Sequence, residues 1–401
     1  MGLLSRILED EKLSFENPPL PRLSVGEGVI FGLADYFEER GYSRIALITG
    51  GDSYTAAEYR RRFEQTLRDS GIEAPRFPVS GEPSPLKVDQ ISEAIVEMQV
   101  DAVVAIGGGS VIDTAKAAAV MLHHEGSVLQ YLEGVGSRKP KPFRHPLIAV
   151  PATAGTGAEA TKNAVISEVG ENGFKKSLRN DAYVPDLAVL DPLVSKGCPA
   201  DVTAASGMDA VTQLLEAYVS TKASPFTDAL ALNGLQRTRW ALPAALHNSE
   251  NLNARGQMAY AAYLSGVVLA AAGLGIVHGL ASPLGAARNI PHGVVCGTLL
   301  PAATEVVVGR LLSGSDESRG LAKYSRAAVV FTGSDHGSAR SNCRALVDEL
   351  FRWAEEFSLP RLADYGFTLE DLKRLAPGAS AKSTPVDLTA DDIVSILERR
   401  L

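Results

Sequence analysis

Two of the chain's seven histidines, His278 and His292, stand in one nearly uncharged stretch, GIVHGLASPLGAARNIPHG, residues 275–293. Imidazole nitrogens are common donors to Zn(II) and Fe(II), usually with a carboxylate, at ~2.0 to 2.2 Å and with an open position where chemistry occurs. The natural carboxylate is Asp209 in SGMDAVTQLLEAYVS. Gln213 follows it by one helical turn on the same face, opposite Val211, Leu214, Leu215 and Tyr218. On one straight helix the two histidines would lie roughly 21 Å apart, too far for one ion. Pro283, Pro291, Gly279 and Gly285 break such a helix and let the chain turn back. Convergence is thereby permitted. The alternative is an ordinary polar helix face with histidines that satisfy local hydrogen bonds, and spacing alone prefers it.

A second chemistry-bearing element is DAVVAIGGGSVIDTAKAAAV, which places Gly107, Gly108, Gly109 and Ser110 between a strand-like run and a helical pattern. Glycines let the backbone approach a ligand closely, and free N–H groups of a first helical turn bind anions such as a pyrophosphate. A tight turn without a ligand fits the same residues equally, with Asp113 and Lys116 as solvent-facing helix charges. ITGGDS at 48–53 ends an earlier strand where a dinucleotide's ribose would be read. Gly50 stands just past that strand, with Asp52 two residues further on, and leaves room for a 2′-phosphate, with no arginine obvious to pair with it. PATAGTGAEATKNAV adds the hydroxyls of Thr153 and Thr156. That segment reads either as a ligand-wrapping loop or as a helix start, with Thr156 as N-cap and Glu159 completing a capping box.

These elements need a scaffold. Arg44 to Thr49 and Asp101 to Ile106 are β-branched runs ending in glycine, HPLIAVPAT and PDLAVLDP are two more, and Ala56 to Ser70 and Val88 to Gln99 have helical spacing. Such alternation predicts a mostly parallel α/β sheet over residues 1–195. From Ala200 onward long helical patterns dominate, so an all-helical domain is expected over 196–401. With 401 residues and a 45% apolar share, two cores are affordable. The net charge of −8 is dispersed, which argues against nucleic acid. Met258 to Ala287 is nearly uncharged but Gly-interrupted, and is expected as buried helices rather than a membrane span. Cys198, Cys296 and Cys343 form no CxxC pair. Charges at Arg6, Glu9, Asp10 and Glu11 interrupt any leader, and Arg6 spoils an acylation motif at Gly2. A cytoplasmic, reducing location is the expectation. SGSDESRG at 313–320 reads as a polar loop.

The segments GGGSVIDTAK (107–116), PATAGTGAEAT (151–161), PDLAVLDP (185–192), TAASGMDAVTQLLEAYVS (203–220) and GLGIVHGLASPLGAARNIPHG (273–293) resemble, in this order, the iron-containing, or group III, alcohol dehydrogenase family. The resemblance implies an α/β dinucleotide-binding domain with a helical metal domain, the architecture shared with dehydroquinate synthase. It implies a pyrophosphate on Gly107, Gly108, Gly109 and Ser110, a cofactor lying along Thr153 and Thr156, and a contribution from Lys175. Asp209, His278 and His292 are implied as ligands of one divalent ion, Fe(II) or Zn(II). The expected activity is hydride transfer between NAD(P)(H) and a small alcohol or aldehyde, the ion acting as Lewis acid. A homo-oligomer is implied as well.

Two positions depart from the family pattern. Gln213 replaces a histidine ligand; as a candidate metal ligand its amide oxygen can still coordinate, but it is a neutral and weaker donor than imidazole. Ser282 replaces a histidine near the nicotinamide; it can pass a proton through water but has no pKa near neutrality. In this family an acid after the second strand accompanies NAD, so Gly50 mildly favours NADP. Three other readings remain: a metal-independent maleylacetate reductase-like enzyme, a dehydroquinate synthase-like lyase, and a dinucleotide-binding protein without turnover. Lys162, Asn163 and Tyr263 are candidate cleft residues.

Overall fold

In the computed structural model, which describes residues 13–168, 170, 173–314, 318–381 and 383–401, the β-branched runs form the centre of a six-stranded sheet. Gly2, Arg6 and the other leading residues read for a leader lie outside the described residues, as do residues 315–317 of the polar loop. The strands are β1 (Arg22–Val25), β2 (Ile45–Gly50), β3 (Arg76–Val79), β4 (Ala102–Gly107), β5 (Leu147–Pro151), β6 (Asn163–Glu168), β7 (Phe174–Arg179) and β8 (Leu187–Leu190). The sheet runs β1-β8-β5-β4-β2-β3, and every neighbouring pair is parallel. Every residue of β2, β4, β5 and β8 is buried, which is why these strands read as unbroken apolar runs rather than alternating ones. β6 and β7 form a separate antiparallel pair.

Four strands escaped the sequence reading. β1 and β3 are four-residue edge strands, and Pro78 inside β3 is tolerated only because an edge strand need not donate on both sides. β6 and β7 carry lysines, arginine and serines that mask their periodicity.

Helices of eight or more residues are α1 (Tyr59–Asp69), α2 (Pro85–Met98), α3 (Gly109–Met121), α4 (Ala200–Val219), α5 (Pro225–His247), α6 (Leu252–Ala272), α7 (Ile276–Ala287), α8 (His292–Ser313), α9 (Arg319–Thr332), α10 (Ala339–Glu356) and α11 (Ala390–Glu398). Among the described residues the last strand ends at Leu190, and from Ala200 on the regular elements are helices.

From β2 the chain runs outward to the edge strand β3, then returns to β4 on the other side of β2. The carboxyl ends of β2 and β4, at Gly50 and Gly107, therefore flank the point where strand order reverses, the usual ligand crevice of an open α/β sheet.

α4 is the axis of the helical half. From Gly207 to Val219 every residue is buried, so it has no solvent face, and the expectation of a simple polar stripe opposite an apolar one is corrected. It packs against α5, α6 and α8, with Met208, Val211, Leu214 and Leu215 in one core with Leu280, Val295 and Leu299. Each such side chain contributes about 1.5 to 3 kcal/mol by leaving water. α6 and α7 meet at a bend of 99°, and α8, long and apolar enough to cross a membrane, is 78% buried over that window. The uncharged stretch around Met258 to Ala287 is thus core, as the sequence reading expected.

Candidate active site

α4 presents Asp209 toward the junction of α7 and α8. α7 ends at Ala287, where Arg288 turns extended; the Ile290 N–H then donates to the Arg288 carbonyl at 2.9 Å, reversing the chain before α8 begins at His292 with Pro291 as its N-cap. This reversal brings the two imidazole rings to 5.4 Å between centroids. Pro283, Gly279 and Gly285 lie inside α7 and do not break it, contrary to the sequence expectation. The turn is made at its end, where Pro291 fixes φ and starts the next helix.

Oδ1 of Asp209 lies 3.3 Å from Nε2 of His278 and 3.7 Å from Nε2 of His292. On its other edge His278 donates from Nδ1 to Glu216 at 2.7 Å, and Glu216 also accepts the Val277 N–H at 2.7 Å. A histidine whose second nitrogen is fixed by a carboxylate is oriented and made more basic for a cation on its first. Sγ of Cys296 lies 3.6 Å from both Nε2 atoms, and the donor atoms of Asp209, His278, His292 and Cys296 all fall within 4.8 Å of one another. This donor set and its carboxylate-backed histidine fit a divalent cation.

Burial would raise the Asp209 carboxyl, but the facing imidazoles bring it down to about 2. Burial strips His292 of its proton, lowering it to about 4 against the pull of Asp209. His278 moves the other way: burial opposes its charge, yet contact with Cys296 and hydrogen bonds to Asp209 and Glu216 hold its pKa well above the usual imidazole range. Burial pushes the Cys296 thiol up to about 12.

Gln213 shares the face of Asp209 and lines the same cleft, but its amide oxygen accepts the Ser265 hydroxyl at 2.7 Å. Ser282, one turn past His278, is exposed on the cleft wall. Cys296 and Glu216 were missed by the sequence reading. The spacing held a signal for both: Cys296 is four residues after His292 on one helix, and Glu216 is two turns after Asp209.

The cleft, ≈ 1880 Å³, joins these groups to the glycine turn. Gly107, Gly108, Gly109, Ser110, Thr153, Thr156, Gly50 and Lys175 all line it. α3 starts at Gly109 with no side chain capping its first turn, which leaves backbone N–H groups for an anion. A Cβ on Gly109 would stand 2.7 Å from Oγ1 of Thr156, and one on Gly108 3.2 Å from Oγ1 of Thr153. The hydroxyl loop therefore lies directly on the glycine turn. Lys175 donates to Glu82 at 2.9 Å, and Ser167 donates to the same carboxylate at 3.2 Å. Burial would raise Glu82, but Lys175 and its other neighbours leave it below the ordinary value.

Two expectations about this region are corrected. Thr156 and Glu159 form no capping box: Gly157, at φ +61°, precedes the short turn Ala158–Ala160, and Glu159 is turned into the core. The reason is packing, since a Cβ on Gly157 would meet Gly266 N and Ala262 O of α6 at 2.5 Å. Nor are Asp113 and Lys116 solvent-facing. Lys116 is 1% exposed and donates to the Thr161 carbonyl and hydroxyl, both at 2.8 Å, and to the Asn163 carbonyl at 3.0 Å, tying α3 to β6. Burial lowers it to about 8 and raises Asp113 to about 6. Of the remaining cleft candidates Asn163 lines the cavity, whereas Lys162 pairs with Asp181 at 2.6 Å and Tyr263 sits in the helical core.

Residues 21–192 match the iron-containing alcohol dehydrogenase family, and residues 203–401 match the C-terminal part of the Fe-containing alcohol dehydrogenase family. The chain belongs to the iron-containing alcohol dehydrogenase family. It is 32% identical over 381 residues to alcohol dehydrogenase 4 of Saccharomyces cerevisiae, spanning 93% of this chain and 95% of that one. With the NAD-dependent methanol dehydrogenase of Bacillus methanolicus it shares 30% identity over 387 residues, 95% of this chain and 98% of that one. The crystal structure of a 1,3-propanediol oxidoreductase superposes with a TM-score of 0.86 at 28% identity, covering 97% of this chain and all of that one. Membership makes this family member a nicotinamide-dependent oxidoreductase acting on CH–OH groups of small alcohols or the matching carbonyls, with a divalent metal. The lyase and the binding-protein readings lose their ground to it.

Proposed function

We propose that Asp209, His278 and His292 hold the divalent cation and that the alcohol or aldehyde approaches it from the cleft, opposite the Gly107–Ser110 turn. The observation that carries this reading is the convergence of a carboxylate and two imidazoles on the wall of the same cleft that the glycine turn lines. When bound, the cation polarises the carbonyl oxygen and the nicotinamide gives or takes hydride at C4. The chain itself supplies position. Glu216 fixes the His278 ring, the free N–H groups at the start of α3 take the pyrophosphate, and Thr153 and Thr156 flank it. Gln213 closes the wall beside Asp209, its oxygen already engaged by Ser265. The exposed Ser282 hydroxyl relays a proton between cleft water and the substrate oxygen; it can do so only as a relay, because it does not titrate near neutrality.

NADP(H) is the proposed preference over NAD(H). Support comes from Gly50 at the end of β2, which carries no carboxylate of its own, with the Ser53 hydroxyl beside it; Asp52 lies two residues on in the same cleft wall. We also propose a homo-oligomer, supported by the edge position of β1 and by Phe15, Leu20 and Val25, which are 46%, 44% and 50% exposed. A cytoplasmic setting is proposed on the three unpaired cysteines.

The test is metal content by elemental analysis, with NADPH and NADH oxidation followed on an aldehyde panel before and after chelation. About one ion per chain with chelator-sensitive turnover supports the reading; full turnover without metal overturns it. A higher kcat/KM with NADPH, reversed by Gly50→Asp, supports the cofactor preference, and light scattering reads the assembly.

A further inference from the structure

We propose that Cys296 is a fourth protein donor to the cation held by Asp209, His278 and His292, and that Gln213 is not. The inference rests on the metal-binding reading above. Sγ stands 3.6 Å from Nε2 of each histidine, inside the same 4.8 Å cluster as the Asp209 oxygen. His292 and Cys296 are four residues apart on α8, so one helix face presents both, the spacing by which helical ligand pairs reach one ion.

The direction of approach matters more than the distance. Asp209, His278 and His292 line the cleft, whereas Cys296 is fully buried and does not. Its sulfur thus meets the cluster from the closed side and leaves the cleft side for a substrate oxygen, as a catalytic site requires. Gln213 stands on the cleft side and has its oxygen committed to Ser265. The missing imidazole of the family pattern is replaced from another helix.

Coordination breaks the S–H bond: thiol plus M(II) gives a thiolate complex and one proton, which leaves to solvent, and the metal keeps its oxidation state. A thiolate is a softer donor than the other three, so it favours Zn(II) relative to a site of nitrogen and oxygen alone.

The experiment is Co(II) reconstitution of the apo full-length chain, read by absorption spectroscopy. A thiolate-to-cobalt charge-transfer band in the near ultraviolet of the wild type is expected. It disappears in Cys296→Ala and Cys296→Ser while the visible cobalt bands persist, and chelator competition shows Co(II) affinity reduced by about 10-fold or more. Gln213→Ala keeps the band. Visible cobalt bands without the charge-transfer band in the wild type overturn the proposal and leave the three-ligand site standing. A band that survives in Cys296→Ala also overturns it. No cobalt uptake by the wild type overturns both readings. If Cys296→Ala fails to fold, Cys296→Ser supplies the same comparison, and absence of the band from the wild type overturns the proposal without any variant.

Discussion

Glu216 Oε2 accepts from Nδ1 of His278 at 2.7 Å, on the ring edge opposite the nitrogen that faces Asp209 at 3.3 Å. Through one imidazole, a buried carboxylate that cannot itself reach the cleft governs the tautomer and angle of a group that lines it. The same carboxylate accepts the Val277 N–H, so it also fixes the start of α7.

Glu216→Gln keeps an acceptor for the Val277 N–H but weakens the polarisation of His278. Metal affinity should fall about 10- to 100-fold, as for other partners that stand behind a metal ligand. Chelator competition measures it, and an unchanged affinity shows that Glu216 is structural only.

Chelation should abolish turnover while leaving dinucleotide binding intact, because the glycine turn uses backbone N–H groups and no metal. Reloading raises the thermal midpoint as well as activity; at 100-fold excess over Kd the gain is about 2.7 kcal/mol. Calorimetry of apo and reloaded protein, beside fluorescence titration with NAD(P)H, checks both halves.

Gly109→Ala places a Cβ 2.7 Å from Oγ1 and 2.8 Å from Cγ2 of Thr156. Overpacking of this kind costs about 1 to 3 kcal/mol, and here it pushes apart the two elements that face the dinucleotide. KM for the dinucleotide should rise by about 10-fold or more with metal content unchanged. Equal losses of metal and cofactor would indicate general unfolding instead.

Glu159 is 2% exposed, its Oε1 has no partner, and burial raises its pKa from 4.5 to about 7. The folded pKa lies above the unfolded one, so the native state holds this proton more tightly. Its contribution to stability is fully present below pH 4.5 and is lost as pH rises through about 7. Asp113 acts in the same direction between 3.8 and about 6. Lys116, lowered from 10.5 to about 8, opposes them only in that higher range, where stability rises with pH. Glu159→Gln should therefore lose less thermal midpoint than the wild type between roughly pH 5 and pH 8. Parallel melting curves across that window would refute the assignment.

Much of the scaffold was legible because fully buried elements leave long signatures. β2, β4, β5 and β8 have no polar face to interrupt them, and α4, α5 and α10 run long enough for helical spacing to assert itself. Where burial is partial the signal thins, as in β3 with Pro78 at the sheet edge. The site residues were legible by type and motif. What hid Cys296 was its neutrality as a residue: in GVVCGTLL it reads as one more small apolar side chain of a buried helix.

By itself, then, the sequence supplied the candidate residues, Asp209, His278 and His292 for a cation and Gly107 to Ser110 for a pyrophosphate, with Gly50 in place of an acid, and the motifs that mark the family. Those are local properties, set by donor chemistry and by what a glycine backbone permits. Only the tertiary structure decided that the histidines meet, because the reversal at Arg288–Pro291 and its packing on α4 lie in no single segment's periodicity. It also decided that Lys116 and Glu159 point inward, that Glu216 stands behind His278 and that Cys296 meets both imidazoles. Each of those depends on which helix is laid against which, a choice made by the burial of the whole core.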